Sequence, residues 1–151
     1  MLFSFNAIGE FNPVHIYLRA KQGGNNFKWS KLVGGAIESK KIETLETEPF
    51  LTNADFKEVK IVELKSPPSL PNSFEIELFF SEAGKNKYTA IANKDRDREY
   101  CLLFENEVYQ CSAFPPASKG LWDKSFSIYG PFTKTKAEEL SLKFKKAIAV
   151  K

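Results

Sequence analysis

From Glu99 to Ser112 the chain reads EYCLLFENEVYQCS, with Tyr100, Leu102 and Phe104 on one side of an extended strand and Cys101 and Leu103 on the other. Both faces are apolar. A strand of this kind belongs inside a sheet that is covered twice, by a helix, by a second sheet or by the curl of a barrel. Glu105, Asn106 and Glu107 supply the turn that folds the stretch into a hairpin.

Other strands are apolar on one side only. Ile16, Leu18 and Ala20 alternate with His15, Tyr17, Arg19 and Lys21, and Phe74, Ile76, Leu78 and Phe80 alternate with Glu75 and Glu77. Ala83-Gly84-Lys85-Asn86 then reads as a turn into a return strand around Tyr88 to Ala92, which makes a second antiparallel hairpin. Glu58 to Lys65 is a further strand whose phase changes between Ile61 and Val62, as at a bulge, and Lys124 to Tyr129 is the last long one. Fourteen Phe against one Met indicate a core of rigid rings, which suits strands better than bundled helices.

One helix is expected, after Gly130-Pro131. Thr135 and Glu138 have capping-box spacing, and Ala137, Leu140, Phe144, Ala147 and Ile148 form an apolar stripe. The run Tyr129-Gly130-Pro131-Phe132, leading into Ala137 and Leu140, resembles the Gly-Pro-Phe helix entry of peptidoglycan-binding SPOR domains. In that family a further strand follows the helix. Backbone chemistry alone accounts for such an entry, so no function is carried over. The expected architecture is one α+β, mostly β domain over residues 1–151: an antiparallel sheet curled into a barrel-like or sandwich form, with one C-terminal helix packed on it.

Charge narrows the choice of partner. The net charge of +3 is low for a nucleic-acid-binding domain, but its distribution is uneven. Residues 1–41 carry six basic and two acidic side chains, residues 42–120 nine and fourteen, and residues 121–151 seven and three. Basic ends around an acidic middle fit either a basic face or mutually neutralising surfaces. Nineteen Lys against three Arg favour diffuse contacts over bidentate readout.

Within that distribution, Arg19 to Lys31, RAKQGGNNFKWSK, sets cations and rings around a Gly/Asn turn. If Lys21 pairs with Phe27, then Arg19 faces Trp29 and Tyr17 faces Lys31, and all six share one face able to hold phosphates and stack bases. That register turns Lys28 and Ser30 inward. A one-residue slip instead sends Phe27 and Trp29 into the core, with Lys28 and Ser30 outward.

The leading expectation is therefore a non-catalytic module for single-stranded DNA or RNA, using Tyr17, Arg19, Lys21, Phe27, Trp29 and Lys31. The alternative is a protein-interaction or assembly subunit whose Phe-rich faces and Pro-rich loops, Pro67 to Pro71 and Pro115 to Pro116, contact a partner. A metal-dependent nuclease built on Asp55 and Glu63-Leu64-Lys65 comes third, because Glu58-Val59-Lys60 matches that layout equally well.

No cofactor, bound metal or membrane partner is expected, and the expected location is the cytoplasm. Met1 to Ile8 lacks a basic n-region and a long apolar run. Cys101 and Cys111 could face each other across the hairpin, but without export signals they are expected to be reduced. His15, the single histidine, lies on a polar strand face with no nucleophile motif nearby. Asp95, Asp97 and Glu99 alternate with Lys94, Arg96 and Arg98 and read as a solvated charge run rather than a cation site.

Overall fold

The computed structural model describes residues 13–33, 42–64, 73–116 and 124–150. Within them the order is β1 (Val14–Leu18), β2 (Asn25–Trp29), β3 (Ile42–Leu45), a 3-10 turn (Asn53–Asp55), β4 (Phe56–Leu64), β5 (Ser73–Phe80), α1 (Glu82–Lys94), β6 (Glu99–Phe104), β7 (Glu107–Ala113), β8 (Ser125–Phe132) and α2 (Lys134–Ala149). The strands form one sheet ordered β1-β6-β7-β2-β3 and a second ordered β4-β5-β8. This is the expected mostly-β α+β architecture in its sandwich-like form. The sheets do not close into a barrel.

The hairpin apolar on both faces is central, as its composition requires. β6 lies between β1 and β7, and Tyr100 to Phe104 are all buried. Glu105 and Asn106 both take positive φ, 54° and 62°, which is the two-residue turn whose twist matches paired strands. On one face the Phe104 ring packs at a tilt against Phe144 of α2, with centroids 4.7 Å apart. The other face lies inside a curl, because β3 swings round to the end of β1: Arg19 bridges Leu45, and the Ala20 N–H donates to the Thr44 carbonyl at 2.9 Å.

Cys101 and Cys111 are directly opposed, with Cα atoms 4.0 Å apart, and they form a disulfide. This corrects the expectation of free thiols. That expectation rested on compartment, whereas the register places the two side chains in contact.

In the second sheet β5 keeps its predicted phase, with Ile76, Leu78 and Phe80 buried. Its partner β4 pairs without interruption through Ile61 and Val62, and the bulge lies between Phe56 and Glu58 instead. The expected return strand at Tyr88 to Ala92 is a helix, α1. Ser81 caps it, its Oγ accepting the Gly84 N–H at 3.1 Å, and Gly84, Tyr88 and Ala92 recur every fourth residue on its buried face. α2 is capped two residues earlier than expected, with Thr133 Oγ1 accepting the Lys136 N–H at 3.2 Å. Its apolar stripe is buried throughout, and it lies against β4 and β5 as well as the central hairpin.

Candidate functional site

β1 and β2 do not pair, so the basic and aromatic hairpin is not formed. β1 pairs with β6, and β2 pairs with β3 and, in parallel, with β7. The curl of the sheet nevertheless gathers four of the six residues on its inner side. The rings of Tyr17 and Phe27 lie 6.4 Å apart, and Arg19 and Trp29 meet on Glu43 of β3. Arg19 donates two hydrogen bonds of 2.9 Å to the two carboxylate oxygens, and Trp29 Nε1 donates one of 3.0 Å.

These cations and rings are committed internally. Trp29 and Glu43 are buried, Arg19 and Phe27 are half-buried, and Arg19 also pairs with Glu99. Only Lys21 and Lys31 of the six stand in solvent. The slipped register described this geometry in part: Trp29 is buried and Lys28 exposed, but Ser30 is buried too. Sequence reasoning missed Glu43. Its signal was alternation in phase with Leu45, an acid on the core side of a strand.

Other candidate chemistry does not assemble. Asp55 is turned inward, accepting the Thr52 N–H at 2.8 Å and pairing with Lys87 at 3.1 Å, while Glu63 is exposed on β4 and Lys65 lies outside the described residues. His15 Nδ1 is 3.4 Å from the Tyr17 hydroxyl, and burial lowers its pKa. Among the described residues one group could present metal ligands, Glu43 with Cys101 and Cys111. Its sulfurs are bonded to each other and its carboxylate is held by Arg19 and Trp29.

An open groove lies elsewhere, where the two sheets approach each other. β7 and β8 border a cavity of about 790 Å³ lined on the β7 side by Ser112, Ala113 and Pro115 and on the β8 side by Lys124 to Ser127 and Tyr129. Its two walls differ in chemistry. The rings of Phe126, Tyr88 and Tyr100 give a largely apolar side, with the two tyrosine hydroxyls paired to each other at 3.3 Å, and Glu75 and Glu77 of β5 give an acidic one. Burial, then the Tyr88 hydroxyl, pushes Tyr100 far above the ordinary phenol range, so it is a neutral hydrogen-bonding group. Burial and the neighbouring Glu77 raise the pKa of Glu75. Ser125 Oγ donates to Glu77 at 2.6 Å.

No family model and no curated protein matches the sequence. Solved structures do match the fold. SecDF, described as a membrane component that enhances protein export, superposes with a TM-score of 0.63 at 15% identity, over 95% of this chain and 66% of that one. SecDF in its Super-membrane-facing form gives 0.61 at 13% identity, over 89% of this chain and 18% of that one. The translocon-associated SecDF of Thermus thermophilus gives 0.57 at 13%, over 97% and 21%. The chain thus spans under two thirds of the first match and about a fifth of the others. No described helix is long and apolar enough to cross a membrane. With the hairpin unformed, its cations and rings committed internally, and fold neighbours that are SecDF structures, the single-stranded nucleic-acid expectation is corrected.

Proposed function

We propose that this chain is a non-catalytic, polypeptide-binding module that works alongside protein export. The observation that carries the reading is the likeness to SecDF over nearly the whole chain, TM-score 0.63 across 95% of its length, in a molecule with an open groove rather than an assembled catalytic constellation among its described residues. Pro115, one of the prolines expected to meet a partner, borders that groove. The Cys101–Cys111 bond supports work in an oxidising compartment rather than the cytoplasm, where such bonds are rare.

The test uses the full chain and one labelled protein presented in two states, folded and permanently unfolded by reduction and alkylation. The unfolded state should bind and the folded state should not, as read by fluorescence anisotropy. Equal binding of both states, or of neither, sinks the reading.

A further inference from the structure

β5 is the inner strand of its sheet, so among the described residues β8 has one edge bonded to a strand and one edge without a strand. The Phe80 N–H donates to the Lys124 carbonyl at 2.9 Å, which makes the even residues Phe126 and Ile128 the ones that bond to β5. The peptide groups of Ser125, Ser127 and Tyr129 therefore point away from it. Among the described residues the outward groups of Ser125 and Ser127 meet no strand, and the edge ends at Pro131, which has no N–H to offer.

β7 presents a matching edge. It pairs with β2 only at Glu107 and Val108, and beyond that its side away from β6 carries no strand among the described residues. Cys101 and Cys111 form a closely spaced, non-hydrogen-bonded pair, so the Cys111 carbonyl points away from β6. One side chain spans the gap. The Gln110 carboxamide donates through Nε2 to the Cys111 carbonyl at 3.2 Å and accepts the Tyr129 N–H through Oε1 at 3.3 Å. A carboxamide has the same donor and acceptor as a peptide group. Gln110 thus occupies the place of one residue in a strand that would join the two sheets.

We propose that an extended polypeptide segment alternating apolar and basic side chains adds as a strand between β7 and β8. It would bond to the outward peptide groups of Cys111 and Ala113 on one side, displacing the Gln110 carboxamide from the Cys111 carbonyl, and to those of Ser125 and Ser127 on the other. Alternation follows from the two walls, because successive side chains of a strand point to opposite faces. Apolar ones meet Phe126 and the Tyr88–Tyr100 pair, and basic ones meet Glu75 and Glu77. Lys124 is the one cation of the lining, and nearby Lys60 is engaged with Glu58 at 3.8 Å and with the Phe79 ring.

This inference rests on the polypeptide-binding reading and supplies its mode and its sequence preference. The test measures the full chain by anisotropy against a short Val/Lys alternating peptide, its Val/Glu counterpart, and a Val/Lys peptide N-methylated on alternate amides. The Val/Lys peptide should bind and compete with the unfolded protein. N-methylation, which removes donors without removing side chains, should weaken it about tenfold or more, as should exchanging Lys for Glu.

Ser127→Pro should weaken binding similarly, since its N–H faces away from β5 and proline is tolerated at such edge positions. Glu75→Lys, on a half-buried surface position, keeps the test open if the proline variant misfolds; it should reverse the preference toward Val/Glu. If the methylated peptide binds as well as its parent, or if unfolded protein binds undiminished by Val/Lys peptide and by Glu75→Lys, strand addition is overturned while polypeptide binding stands. If unfolded protein does not bind at all, both fall.

Discussion

A buried carboxylate with one partner removed costs far more than the pair contributes, and Glu43 is placed to show it. Its two oxygens satisfy Arg19 at 2.9 Å twice and Trp29 Nε1 at 3.0 Å, tying β1, β2 and β3 together inside the curl. Glu43→Ala leaves the buried Trp29 N–H without its acceptor and the half-buried Arg19 with Glu99 as its remaining carboxylate partner, and should lower stability by about 1 to 3 kcal/mol. Glu43→Gln, which keeps one acceptor, should recover part of the loss. Urea unfolding followed by tryptophan fluorescence measures both, and unchanged midpoints would show the bridge to be idle. The sequence put Tyr17, Arg19, Phe27 and Trp29 on one face through a pairing of β1 with β2 that does not form; Arg19 and Trp29 meet through β3 instead. What it hid was the partner, because alternation identifies a face but not which distant strand lies across it, and a Glu in an acid-rich stretch reads as solvated.

At the level of elements, the helix α1 crosses the chain at the 3-10 turn, and Gly84 makes that crossing possible. A Cβ there would overlap the Asp55 carbonyl oxygen, a backbone atom that cannot swing aside. Helix propensity alone favours Ala over Gly by about 1 kcal/mol, yet overpacking costs about 1 to 3 kcal/mol. Gly84→Ala should therefore lower the thermal midpoint, whereas Asn86→Ala, exposed on the same helix, should raise it slightly. A gain in both would mean that α1 shifts freely off Asp55. This helix was misread because Tyr88 to Ala92 fits a period of two as well as a period near four, and a Gly-Lys-Asn run imitates a turn. The signal that decides is Ser81 as a cap ahead of Gly84, Tyr88 and Ala92. By contrast, β5, the central hairpin and α2 were legible, since each is specified by local pattern and turn or stripe chemistry.

Across the whole molecule the sheets are joined by rings. Tyr100 of the first sheet lies 5.7 Å from Phe126 of the second, and α2 places Phe144 on Phe104 and Tyr109 while resting on β4 and β5. The pairing of β1 with β6 and of β2 with β7 was not legible, because these contacts join strands far apart in sequence and no local pattern encodes them. Their arrangement has a thermodynamic consequence. If α2 holds both sheets, truncating its central ring should loosen both at once rather than only the sheet it touches most closely. Phe144→Ala removes a fully buried side chain and should cost about 3 to 5 kcal/mol. Amide hydrogen exchange resolves where that cost falls. Protection of β6 amides and of β5 amides should drop by the same free energy, as expected of one cooperative unit. A drop confined to β6 would show that the two sheets unfold separately and that the aromatic seam at Tyr100, rather than the helix, is what keeps them together.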